Sequence, residues 1–290
     1  MNIIGHQKVI KFLEKSFEKN AVSQAYVFCG PEHLGKFTIA FDFAKKLAGS
    51  DKEINPDIII ITPEIEDKKG IIRKKDIKII QIRELQKKLS LSPYFGKYKV
   101  AIIDDAERLT VSAQNALLKT LEEPEKNTVI ILVCHNLEKI LATIKSRCVV
   151  KKFGLVGEED LMKISNQLEN RKEMIVWSLG RPGLAIKLLD EKELSVKKEI
   201  KENLEKILRS NLNEKFLLAE ELSKNPENLS EQLGFWLFLF RENILSGGKF
   251  INIDLIKTLK LIDKISETKE CLKETNANVK LALENLFLNF

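Results

Sequence analysis

Ala25-Tyr26-Val27-Phe28-Cys29-Gly30-Pro31-Glu32-His33-Leu34-Gly35-Lys36 is the stretch on which the fold turns. Five apolar residues, too few for a helix, run into the spacing G-x-x-x-x-G-K, and a helical stripe of Ile39, Ala40, Phe43, Ala44 and Leu47 follows. Strand, glycine loop and helix in that order make a P-loop. Its glycines Gly30 and Gly35 let backbone N–H groups curl around a phosphate, the helix N-terminus faces the anion, and Lys36 reaches the terminal phosphates. The motif should close with a hydroxyl that ligates magnesium, but Phe37 stands there. Thr38 comes one residue late, about 100° around the helix. Phe37 is therefore expected to pack against the sheet, and magnesium to lose a protein ligand.

Further short β-branched runs follow at 58–61, 100–103, 128–133 and 149–153. Each is nearly continuous, as in parallel strands buried on both faces. Helical stripes separate them at 79–89 and 112–123, the second stopped by Pro124. This alternation predicts an α/β core with a parallel five-stranded sheet. Beyond Phe153 only helical periodicity is read, at 158–168, 172–179 and 184–189, then as a bundle from Val196 whose most buried stretch is 235–240. The expected domains are a core over 1–153, a small helical lid over 154–195 and a helical domain over 196–290.

Composition narrows the function classes. Of 290 residues, 44% are hydrophobic and 31% charged, an ordinary balance for a soluble chain. No apolar run approaches the ~18 residues of a membrane span, and lysines at 8, 11, 15 and 19 break any signal-peptide core. Four scattered cysteines, Cys29, Cys134, Cys148 and Cys271, form no C-x-x-C pair, so reduced thiols in a cytoplasm are expected and zinc is not. His6, His33 and His135 supply no second ligand set. The net charge of +6 lies wholly in the first 150 residues, where Lys68-Lys69 and Arg73-Lys74-Lys75 read as a solvated loop compatible with phosphate-backbone contact.

Two more constellations carry chemistry. Val100-Ala101-Ile102-Ile103-Asp104-Asp105 is an apolar strand ending in two carboxylates, the Walker B pattern in which the first acid helps hold the metal and the second positions water. An active hydrolase normally has Glu second. Asp105, a methylene shorter, misplaces that water. Thr143-Ile144-Lys145-Ser146-Arg147-Cys148 precedes the fifth strand. Together with Glu122-Glu123-Pro124, Asn127-Thr128 and Asn276-Ala277-Asn278-Val279-Lys280-Leu281-Ala282-Leu283-Glu284, these residues resemble the bacterial clamp-loader subunits of DNA polymerase III, an AAA+ family.

The resemblance implies an AAA+ core, a lid and a C-terminal collar through which tau/gamma, delta and delta-prime type subunits form a hetero-pentamer. That ring loads a sliding clamp on primer–template DNA. It implies that Arg147 of the S-R-C motif is an arginine finger acting in trans, which contributes about 10³–10⁵ in rate to phosphoryl transfer. Asn136 falls in the sensor 1 region, and the sensor 2 arginine falls at Leu184, with Arg181 three positions earlier. Phe37, Asp105 and Leu184 are three departures in one direction: ATP and magnesium bind weakly or not at all, and no cofactor is required. The pattern fits the delta-prime stator better than the tau/gamma motor, which remains the alternative. No four-cysteine zinc module occupies 48–57, and no long tether follows the collar.

Overall fold

The computed structural model describes residues 3–49, 55–68, 71–164, 171–224, 226–245, 247, 251, 253–274 and 277–290. It divides into two compact units, Met1–Leu189 and Asp190–Phe290. The first is built on β1 (Ala25–Cys29), β2 (Ile58–Ile61), β5 (Lys99–Ile103), β6 (Thr128–Cys134) and β7 (Val149–Lys152). These strands are parallel in the order β2-β5-β6-β1-β7. Every residue of β1, β5 and β6 is buried, which is why their sequences do not alternate.

Helices cover both faces. On one side α1 (Gln7–Glu18) and α2 (Lys36–Ala48) pack Leu13, Ile39, Phe43 and Leu47 on Tyr26, Phe28, Val100 and Ile131. Phe37 joins the edge of that cluster half-buried, its ring stacked on Phe41 at 6.1 Å. On the other side α3 (Ile79–Leu89), α4 (Val111–Glu122) and α5 (Ala142–Lys145) bury Ile82, Leu85, Leu117 and Ile144 on Val27, Ala101 and Leu132. After β7 come α6 (Glu158–Leu161), α7 (Arg171–Ser178) and α8 (Pro182–Lys187). The second unit holds α9 (Glu191–Arg209), α10 (Leu212–Ser223), α11 (Pro226–Leu245), α12 (Leu255–Glu274) and α13 (Val279–Phe287). Its core includes Trp236, Phe240, Leu261 and Phe287.

The structure corrects three readings. Residues 65–68 and 71–74 are not a loop but an antiparallel hairpin, β3 (Ile65–Lys68) and β4 (Ile71–Lys74), braced by Lys75 against Glu66 at 3.5 Å. The helix expected over 158–168 stops at Leu161 and passes into a turn. Helix α1 had no counterpart among the expected elements, because its charged residues mask a narrow apolar stripe whose only fully buried members are Leu13 and Ser16. Residues 50–54, Lys69, residues 165–168 and Asn276, all within stretches discussed above, lie outside the described residues.

Candidate nucleotide site and arginine finger

The P-loop leaves β1 at Gly30, where an added Cβ would meet the carbonyl of Phe153 at 2.3 Å. Glycine is therefore required by close approach. His33 (φ 62°) and Gly35 (φ 80°) then turn the loop into α2. Lys36 is 3% exposed. Its Nζ donates to the carbonyls of Gly30 and Pro31, both at 2.6 Å, and to His135 Nδ1 at 3.1 Å. The lysine thus spends its three protons on its own loop and a histidine, and burial lowers its pKa.

At the end of β5, Asp105 is 4% exposed with φ 48°. Both its oxygens are engaged: Oδ1 with His135 Nε2 at 2.9 Å, Oδ2 with Lys74 Nζ at 2.5 Å. Since ammonium can only donate, Nδ1 of His135 accepts from Lys36 and Nε2 carries the proton that goes to Asp105. The result is a relay Lys74–Asp105–His135–Lys36 joining β4, the end of β5, the end of β6 and the P-loop. The His135 hydrogen bond, with Lys74 behind it, holds the Asp105 carboxyl well below the usual carboxylate range. The same bond raises His135, and Asp105 raises Lys74. Burial, with the charge of Asp105, pushes Asp104 up.

His135 is the member of this hydrogen-bonded cluster that sequence reasoning missed. Its only signal was its place at the end of a buried strand opposite a lysine-bearing loop. Asn136, in the region where the resemblance puts sensor 1, caps the turn at 137–139, its Oδ1 accepting from the Glu138 N–H at 2.9 Å. Glu107 Oε1 accepts from the backbone N–H of His135 at 3.0 Å, while its Oε2 is buried without a partner.

Asp105, Glu107 and His135 each offer a ligand atom, all within 4.8 Å of one another. The magnesium that a P-loop implies does not fit this donor set. Phe37 offers no hydroxyl, Asp105 is saturated by an ammonium and an imidazole, and the imidazole proton blocks Nε2. Cys29 and Cys134 are buried register partners on β1 and β6, and burial raises Cys134; Cys148 is pushed up to about 12 by burial. These are core thiols.

Helix α8 meets the P-loop directly: the Gly183 N–H donates to the His33 carbonyl at 2.8 Å, and a Cβ on Gly183 would stand 2.9 Å from that oxygen. Leu184 beside it is half-buried and brings no charge, and Arg181 Nε is buried without a partner. Arg147 lies apart from the relay. It follows α5, its side chain 37% exposed, with Nη1 donating to the Thr143 carbonyl at 3.0 Å and Nη2 to Glu122 Oε1 at 2.8 Å.

A parallel five-stranded sheet with a glycine loop after one central strand and a carboxylate pair after its neighbour but one is an AAA+ core. A family model described as "DNA polymerase III, delta subunit" matches residues 5–156, more than half of the chain. The chain belongs to this family, among the bacterial clamp-loader AAA+ proteins. It is 31% identical to the DNA polymerase III subunit tau of Bacillus subtilis over 66% of this chain and 37% of that one. It is 29% identical to subunit delta' of Pseudomonas aeruginosa over 66% of this chain and 63% of that one. The matched stretches thus span less than two thirds of these relatives. A gamma subunit-related protein of Thermotoga maritima superposes over 97% of both chains with a TM-score of 0.53 and 24% identity. The Thermotoga RuvB branch migration motor follows at 0.50 and 17%, over 76% of this chain and 82% of that one. Both are likenesses of fold.

Proposed function

We propose that this chain is the delta-prime type stator of a clamp loader: it does not hydrolyse ATP and supplies Arg147 to the nucleotide of a neighbouring subunit. One contrast carries the reading. The P-loop lysine is buried and tied to its own loop, whereas the S-R-C arginine is exposed, its guanidinium bonded at the surface to the Glu122 carboxylate, the Thr143 carbonyl and Ser146 Oγ. A guanidinium keeps its charge and its fork matches phosphate oxygens, so an arginine on a surface can serve a neighbour. The core at 1–153, lid at 154–195 and collar at 196–290 would place the chain in a hetero-pentamer with tau/gamma and delta subunits in the cytoplasm. There it would help load the sliding clamp onto primer–template DNA, touching DNA through its backbone only.

The test is a reconstituted loader. Arg147→Ala should lower DNA-stimulated ATPase by 10³-fold or more at the neighbouring site, on the order of the finger effect in related enzymes, with the complex still assembled. Lys36→Ala should change little. The tau/gamma motor reading, favoured by the match to the tau subunit, gives the opposite result: Lys36→Ala abolishes loading, and the isolated chain turns over ATP with magnesium.

A further inference from the structure

In the helical unit, α9, α10 and α11 leave a groove of about 420 Å³ between them. On α9, Glu193, Val196, Ile200 and Asn203 recur at helical spacing and so share one face, a row of roughly 15 Å. The lining of the groove is apolar at its base: Ile200 and Leu218 are buried, Leu222 is half-buried, and Val196 carries the same row into solvent at 47% exposed. Carboxylates rim it from three helices, Glu193 and Glu199 on α9, Glu221 on α10 and Glu231 on α11. Lys197 already holds Glu231 at 2.6 Å. Glu193, Glu199 and Glu221 are exposed and meet no cation among the described residues. Gln232, also in the lining, has its Oε1 buried without a hydrogen-bond partner. These unanswered groups all accept; what they lack is a donor, and for the three carboxylates a positive charge. In a chain of net charge +6 the groove is a local reversal of sign.

We propose that the groove between α9, α10 and α11 is a docking site for a basic amphipathic helix of another protein. Such a helix presents one apolar stripe with lysines or arginines on both flanks, and it is read through anchors at i, i+3 or i+4, and i+7. The stripe would cover Val196 and Leu222, while the flanks meet Glu193 and Glu199 on one wall and Glu221 on the other. About ten helical residues span the α9 row. The aliphatic stems of lysine and arginine lie along apolar surface while their charged ends reach a rim. A bare polycation would answer the carboxylates but leave Val196 wet, and an acidic helix would be repelled. Apolar burial then supplies affinity, and the opposed charges supply the rate of encounter and the choice of partner. This inference goes beyond the stator reading and uses none of its residues, so either can fail without the other.

Fluorescence anisotropy of a labelled synthetic helix of leucine and lysine, about 14 residues long, titrated with the full-length chain tests this. Binding should saturate and weaken as salt is raised. It should fall about tenfold or more with the double variant Glu199→Lys/Glu221→Lys, and by a similar factor with Val196→Asp. All three positions are exposed, so both variants should keep the native circular dichroism spectrum. The same peptide with glutamate in place of lysine should not bind. Absence of saturable binding, equal affinity for native and variant chains, or equal binding of the glutamate peptide overturns the proposal. So does displacement of the peptide by spermine as effective as by unlabelled peptide, which would make the groove a site for small cations. A dimer of the chain alone in sedimentation, broken by the same variants, would assign the groove to a second copy and overturn it as well.

Discussion

Asp105 is buried, ionised and doubly bonded, and its energetics follow from that environment. Its folded pKa is depressed, so the group contributes stability that is fully present above its unfolded value of about 4 and is lost progressively as pH falls from there through the lower folded value. Asp105→Asn keeps the shape but removes the charge that His135 and Lys74 answer, and should cost about 2 kcal/mol near neutral pH. Urea titrations at pH 7 and pH 3.5 should show the gap between native and variant chains beginning to narrow at the lower pH, while closing only as pH approaches the depressed folded value; a gap that does not narrow would mean that the carboxylate charge is irrelevant. Gly30→Ala should cost about 1–3 kcal/mol by urea denaturation, because the Phe153 carbonyl that its Cβ would strike belongs to the backbone hydrogen-bonded to Cys29. The residues of the pocket were legible singly: Lys36, Phe37, Asp104 and Asp105 all sit where the motifs put them. What links them was not. His135 and Lys74 lie 30 and 31 positions from Asp105, and no short spacing announces their contact.

Among the elements, β1, β5 and β6 were readable because a strand buried on both faces is a continuous apolar run, while the edge strands β2 and β7 are only partly buried. The hairpin and α1 escaped because charged residues interrupt their apolar runs, and most of α1 faces solvent. The join between β2 and β5 shows the same limit. Asp57 reads as part of a lead-in to β2, and 94–99 as a turn before β5, yet the fully buried Asp57 carboxylate accepts the backbone N–H groups of Tyr94 and Phe95, each at 2.7 Å. That single side chain fixes a loop whose two aromatic rings are exposed and packed edge to face at 4.7 Å. Asp57→Ala should therefore loosen 94–95 and cost about 2 kcal/mol, two charge-assisted bonds partly replaced by water. Hydrogen exchange at Tyr94 and Phe95 checks it: amides as protected in the variant as in the native chain would show that the carboxylate does not hold the loop.

At the scale of the molecule, the two units have separate cores, so damage to one should be separable from damage to the other. The core of Asp190–Phe290 is centred on Trp236, which is fully buried, meets Phe287 and Phe290 at 6.1 Å each, and donates its Nε1–H to the Ile200 carbonyl at 3.0 Å. Trp236→Ala removes that packing and orphans the carbonyl, a loss of about 3–5 kcal/mol. That is a large share of what an ordinary domain has in reserve. The sheet of Met1–Leu189 is packed by its own side chains on both faces and shares none of them with Trp236. Calorimetry of the Trp236→Ala chain should accordingly show an early transition for the helical unit and an unmoved one for the α/β unit. If the helical unit is the collar, the same variant should fail to enter the loader while its relay and Arg147 stay intact, so activity is lost by absence rather than by chemistry. Both transitions falling together would mean that the units unfold as one, and assembly and finger could then no longer be tested apart.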